Sequence, residues 1–388
     1  MRRLAVASVL WLCALSSATR AGTAPVIGGH VADNKKWPDA VAVFFGNQQG
    51  CTGILLAPTL VITAAHCNDP RDPPTAVLIG ANNLTRPQEG EMIAAKTVTS
   101  YPNWDNGGAD IALIVLDHAS TIAPRTIATG WAAADIQNGT ELTIVGWGAT
   151  DSQASVYPDD QMEAVIPITD ADCTGSEAAS CTTEIAPGGE FGGGGMGIDT
   201  CPGDSGGPAY LVTSYGTFLA GTTDRGYNNA ASYCEDGGIY ERPDKFIDWI
   251  ETTSGLTLPR GPMPSADTLM AETAKPGHTT VDPKDPKASA DHTFAIAAPP
   301  THGTATVDAN GVVTYTSEAG YLGDDSVRVT VSDSTNAKRA VTIPVAISVV
   351  AMLPDDGCSC ASGGSSSGAL APLAAFGFVM TRRRRRRA

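Results

Sequence analysis

Histidine is scarce in this chain, with six among 388 residues, so an imidazole that does chemistry has to be found by the motif around it and not by abundance. Positive charge is also short. The 25 Lys and Arg stand against 41 Asp and Glu, a formal net charge of −16, which argues against a polyanionic partner such as nucleic acid. Paired Cys-x-x-Cys knuckles are missing among the nine cysteines, so the spacing does not suggest a zinc site, and no metal or cofactor is expected. Long apolar runs are missing as well. The stretches Leu4–Leu15 and Ala369–Met380 hold 12 residues each, fewer than the roughly 20 of a typical membrane-spanning helix.

What the chain does have is the run Asp199-Thr200-Cys201-Pro202-Gly203-Asp204-Ser205-Gly206-Gly207-Pro208. A serine hydroxyl is a weak nucleophile. It needs a base, a carboxylate to orient that base, and N–H donors for the oxyanion formed in acyl transfer. A candidate base is His66, in Val61-Ile62-Thr63-Ala64-Ala65-His66-Cys67, where a β-branched run and small residues should carry the imidazole to the end of a buried strand. The candidate carboxylate is Asp110, ahead of the apolar Ile111–Leu116, where an unpaired charge would be costly; alone it reads more readily as a turn residue after Gly107-Gly108.

In the order His, Asp, Ser these segments resemble the trypsin/chymotrypsin family of serine proteases. The resemblance covers about residues 26–254 and includes Val26-Ile27-Gly28-Gly29, Trp37-Pro38, Cys51-Thr52-Gly53, Gly146-Trp147-Gly148 and a closing helix near Phe246–Ile250. It implies an all-β fold, two consecutive β-barrels with the site between them. Ser205 would be the nucleophile, His66 the general base and then acid, and Asp110 the group fixing its tautomer. The N–H groups of Gly203 and Ser205 would form the oxyanion hole, where one donor contributes about 3 kcal/mol.

The same resemblance implies that Asp199 marks the base of a pocket for Arg or Lys, with Gly226 and Gly238 as its small walls. Asp224 and Arg225 depart from the family pattern, which has a serine and then a tryptophan there. An acid near Asp110 should raise a carboxylate pKa by like-charge repulsion unless Arg225 offsets it. Activation would free the amino group of Val26 to pair with Asp204, but Pro25 precedes Val26 where a trypsin-like activator needs Arg or Lys. The family pattern suggests disulfides Cys51–Cys67, Cys173–Cys181 and Cys201–Cys234. After Gly80 the chain reads Ala81-Asn82-Asn83, where a family calcium loop would offer an acid.

Residues 1–21, with Arg2-Arg3, an apolar core and small residues, read as a secretory signal peptide. After the protease region of 26–254 comes a Pro-containing linker, 255–264, and then a region of alternating strand patterns, 265–350, with Asn310-Gly311 as a hairpin signal. It resembles a bacterial immunoglobulin-like or cadherin-like module and reads as a small β-sandwich, a spacer more than a catalytic unit. The tail, 351–388, combines Cys358-Ser359-Cys360, a Gly/Ser tract, an apolar stretch and six arginines, and resembles the myxobacterial C-terminal sorting tag. That implies cleavage near Cys358 or Cys360 and anchoring at a bacterial surface, with sorting machinery as partner and outer-membrane attachment as one outcome.

Losing the nine leader and tail arginines, and no acid, would take the net charge from −16 to −25. The reading is a secreted or surface-anchored endopeptidase cutting protein or peptide substrates after Arg or Lys. A catalytically inactive homologue that binds through its β module is the alternative. Neither sets an oligomeric state.

Overall fold

The structure is a computed structural model describing residues 26–175, 181–182, 189–287 and 291–351. The leader, the tail and the anchor candidates Cys358 and Cys360 lie outside the described residues. Six antiparallel strands form the first barrel: β1 Ala40–Phe45, β2 Gln48–Ala57, β3 Leu60–Thr63, β4 Ala76–Ile79, β5 Glu91–Ser100 and β6 Ala112–Leu116. They close in the order β1-β2-β3-β6-β5-β4. Val41, Val43, Leu55, Val61, Val77, Ile93 and Ile114 fill the interior. Each such side chain contributes about 1.5–3 kcal/mol by leaving water.

The second barrel repeats this connectivity. Its strands are β7 Glu141–Gly146, β8 Met162–Asp170, β9 Glu190–Gly193, β10 Pro208–Thr213, β11 Gly216–Gly226 and β12 Gly238–Glu241, closed as β7-β8-β9-β12-β11-β10. A mixed apolar layer joins the two barrels, with Trp37, Ile54, Leu60 and Ile62 from the first half and Val145, Tyr210 and Leu219 from the second. Trp37 stacks on Tyr210 with ring centroids 4.7 Å apart. A short helix α1, Trp131–Ala134, sits between the barrels in sequence, and the closing helix α2, Ile247–Ser254, buries Ile250 in the joint and stops at Gly255 with φ +70°.

Beyond α2 lies a β-sandwich. A four-stranded sheet has the order β13 Leu269–Glu272, β19 Ala340–Val350, β18 Gly323–Asp333, β15 His292–Ala298. The facing sheet is β14 Pro276–Thr280, β17 Val312–Ser317, β16 Gly303–Val307. Val313, Tyr315, Val327, Val329, Val345 and Ile347 pack between them. The Asn310-Gly311 turn joins β16 to β17, with Gly311 at φ +78°.

The sandwich does not hang free. Trp131 of α1 is fully buried in the sandwich core, and its indole N–H donates to Pro283 O at 2.7 Å. Arg339 lies over the Trp131 ring at 4.5 Å, donates to Asp135 of the protease half at 2.6 Å, and forks onto Asp285 of the module. Lys287 reaches the same Asp135 oxygen at 2.9 Å.

Candidate active site

β3 carries the β-branched run into the core and stops at Thr63, after which a single 3₁₀ turn, Ala65–Cys67, lifts His66 to the surface. Ala65 and Cys67 are buried on either side, and the Cys51–Cys67 disulfide ties the turn to β2. Asp110 precedes β6 and meets this turn. Its Oδ1 accepts the His66 backbone N–H at 2.8 Å, and its Oδ2 lies 2.6 Å from His66 Nδ1. The double contact fixes the ring and favours a proton on Nδ1, leaving Nε2 as the acceptor that a general base requires.

Ser205 lies half-buried on the loop between β9 and β10. Thr52 binds this loop to the first barrel: its N–H donates to Ser205 O at 2.8 Å, its hydroxyl donates to Gly203 O at 2.9 Å, and its own carbonyl accepts from Thr63 at 2.7 Å. Asp204 O is held by the Gly207 N–H at 2.7 Å. Among the described residues no protein acceptor engages the N–H of Gly203 or of Ser205. Two backbone donors therefore remain available beside the serine. Gly203 has φ +103°, and a Cβ there would sit 2.9 Å from Gly148 Cα, so no other residue fits the turn without displacement.

Asp199 is 2% exposed. Its carboxylate accepts the N–H groups of Thr200 at 2.8 Å and Gly237 at 2.9 Å, and burial nevertheless pushes its pKa up to about 7. Gly226 and Gly238 pair in register on β11 and β12, and a Cβ on Gly238 would meet Asp199 Oδ1 at 3.3 Å. The cavity beside Ser205, about 260 Å³, is lined by Thr200–Pro202 and Thr223–Gly226; of the three expected pocket residues only Gly226 lines it, and Asp199 and Gly238 do not. The Cys201–Cys234 disulfide braces this region, and Cys173–Cys181 forms as well.

Val26 is buried against the second barrel, and Ile27 O accepts the Asp199 N–H at 3.3 Å. In the uncut chain the Val26 nitrogen is an amide, so the expected charge pair with Asp204 is not formed. The Asp204 carboxylate instead accepts from Gly148 N–H at 2.8 Å and Cys201 N–H at 3.0 Å, and full burial raises its pKa to about 6.

Around Asp224 and Arg225 the local ion pair forms. Arg225 also forks onto the fully buried Glu190, at 3.1 Å for each contact. Glu241, another fully buried acid, accepts the Asp110 N–H at 2.7 Å through Oε1, while its Oε2 has no partner among the described residues. Glu190 and Glu241 were not anticipated from sequence. In sequence each reads only as an acid beside apolar residues, Glu190-Phe191 and Ile239-Tyr240-Glu241, with nothing to link the two.

A double antiparallel barrel with a paired His–Asp, a serine whose carbonyl lies 3.8 Å from Sγ of Cys67 next to that histidine, and two backbone N–H groups unengaged among the described residues defines a chymotrypsin-like serine protease. The family model for trypsin matches residues 26–250, and the chain belongs to that family, a serine endopeptidase by descent. Brachyurin of Leptuca pugilator is 31% identical over 238 residues, covering 60% of this chain and 100% of the relative. Anionic trypsin of Canis lupus familiaris is 31% identical over 233 residues, 59% and 89%, and kallikrein-8 of Homo sapiens is 27% identical over 251 residues, 61% and 89%. A second model, a bacterial Ig domain, matches residues 260–346.

Proposed function

We propose that the chain is an exported endopeptidase that cleaves after Arg or Lys. The observation that carries this reading is the buried Asp199 carboxylate, next in sequence to Thr200 on the wall of the Ser205 cavity, with Gly238 against it and, among the described residues, only backbone N–H donors. A guanidinium or ammonium supplied by substrate would compensate a charge that burial disfavours. In the reaction Ser205 Oγ attacks the carbonyl carbon while its proton passes to His66 Nε2. The imidazolium is stabilised by Asp110, and the oxyanion accepts from Gly203 and Ser205 N–H. Collapse expels the amine, which takes the proton from His66, and water repeats the sequence to free the acid.

Cleavage before Val26 would put an ammonium beside Asp204. That change would order the serine loop, since Gly148 and Cys201 already converge on this carboxylate. The leader and the Cys358/Cys360 tail support export followed by surface attachment, with the Ig-like module between anchor and protease. The deciding experiment is fluorophosphonate labelling of protein cut to begin at Val26, beside Ser205→Ala, followed by a profile of the cleaved residue. Labelling of the parent alone, with Arg and Lys peptides hydrolysed best, is expected. Folded protein that resists labelling would favour the binding-homologue reading, and preference for Phe or Ala would reject the Asp199 assignment. Truncation before Cys358 should release the protein from cells.

A further inference from the structure

A second cavity, about 310 Å³, opens on the His66 side of the cleft. It shares Asp224 and Arg225 with the cavity beside Ser205, so the end of β11 is a common wall between the two. β11 pairs with β10 only as far as Thr222, whereas its pairing with β12 runs on to Gly226. A substrate lying extended along Asp224–Gly226 would point successive side chains to opposite sides. The residue bearing the cleaved carbonyl would enter the Ser205 cavity, and its preceding neighbour would enter the His66 cavity.

The chemistry of this second cavity is acidic. Carboxylate oxygens of Glu190, Asp224 and Glu241 lie within 4.8 Å of one another, and Asp110 lies on the same wall. His66 is matched to Asp110, and the guanidinium of Arg225 pairs with Glu190 and Asp224, so three acids face one guanidinium. Glu241 Oε2 adds a separate observation. It is a buried polar atom with no hydrogen-bond partner among the described residues, a state that folded proteins rarely leave uncompensated. Gly107 and Gly108 line it without side chains; a Cβ on Gly107 would meet nothing within 4 Å, whereas one on Gly108 would meet Pro102 O at 2.5 Å. Trp104 supplies an aromatic wall suited to a cation and its methylene stem.

We propose that this cavity binds the cationic side chain of the substrate residue preceding the cleaved one, so that the protein selects pairs of basic residues. Burial holds the Glu241 carboxyl up at about 8 and Glu190 above the ordinary range, so a bound cation would draw protons off and its affinity should rise with pH. The inference rests on Ser205 and His66 hydrolysing peptides, but not on the identity of the residue in the Asp199 pocket.

The test uses full-chain protein cut at Val26, titrated for active sites, and fluorogenic tetrapeptides. The cleaved residue is fixed at whichever gives the highest rate, and the preceding residue is Arg, Lys, citrulline or Glu. We expect kcat/KM for Arg and Lys at least about tenfold above citrulline, the difference lying in KM, with Glu lowest. In Glu190→Gln the Arg-to-citrulline ratio should fall several-fold, and a ratio taken within one preparation is insensitive to partial loss of active protein. Arg and citrulline equal within twofold in the parent would overturn the proposal, as would a preference for Glu, which would mean that Arg225 and not the acids faces substrate. Failure of labelling, or a non-basic optimum at the cleaved residue, would instead count against the proposed function and is read from separate experiments.

Discussion

Protonation of Asp199 should be readable directly in substrate selectivity. Burial, opposed by the N–H groups of Gly237 and Thr200 and reinforced by the charges of Asp204 and Asp236, raises its pKa from 3.8 to about 7. At 1.36 kcal/mol per pKa unit this is about 4 kcal/mol of disfavour for the ionised form, which a substrate guanidinium would offset. Citrulline has nearly the shape of arginine and no charge, so the ratio of kcat/KM for the two isolates Asp199. Any pH dependence common to the two peptides cancels in the ratio. The ratio should be level above pH 7 and fall about tenfold per pH unit below it, reaching about a hundredth of its plateau at pH 5. The assay is a pair of fluorogenic peptides, identical but for that residue, run from pH 5 to pH 8.5. A flat ratio across this range would refute the argument, for it would mean that substrate charge is not read by a carboxylate that titrates near neutrality. The same burial sets a stability trend. The unfolded carboxyl loses its proton near 3.8 and the folded one near 7, so folding is progressively penalised between those values and fully so above 7. Asp199→Asn should therefore unfold at higher denaturant at pH 8, by at most about 4 kcal/mol, and the advantage should vanish below pH 4.

Three further outcomes are expected. Asp110→Asn should lower kcat about 10⁴-fold with little change in the melting temperature, since Nδ1 would then lose its acceptor; equal kcat would remove Asp110 from the mechanism. Gly148→Ala would place a methyl 2.4 Å from Asp204 Oδ2, so it should cost activity through the serine loop, seen as weaker fluorophosphonate labelling in protein that still folds by circular dichroism. Arg339→Ala leaves the acids Asp135 and Asp285 without their shared guanidinium and should destabilise the two-part assembly by about 3–5 kcal/mol; calorimetry that shows no shift would indicate that the clamp is idle.

The sequence made the double barrel and its principal site residues legible because each key residue sits in a contiguous motif: a β-branched run into Ala64-Ala65-His66, an apolar strand behind Asp110, glycines around Ser205. The sandwich was legible from period-two patterns and one Asn-Gly turn. What stayed hidden depends on convergence of distant segments. Glu190 and Glu241 lie 51 residues apart and become neighbours only because β9 and β12 pair in register at exactly those positions, so their mutual charge has no linear signature. Gly107 and Gly108 read as turn residues until the cavity they leave open is seen from the His66 side. For Asp224 and Arg225 the residues were visible, but the answer to the charge was not, because the guanidinium reaches Glu190 as well as its sequence neighbour. The docking of the sandwich was invisible for a similar reason: Trp131, Asp135 and Arg339 carry no motif.

That docking changes how the protein's reach should be pictured. A domain on a slack tether sweeps a sphere about its point of attachment and meets substrate in every orientation. With Trp131 sunk into the sandwich and Arg339 clasping both halves, catalytic domain and module share one frame, and the cleft faces a set direction relative to the end of β19 at Val350. Anything that gripped the chain beyond Val350 would therefore govern the bearing of the cleft as well as its distance, in the manner of a blade fixed to its handle.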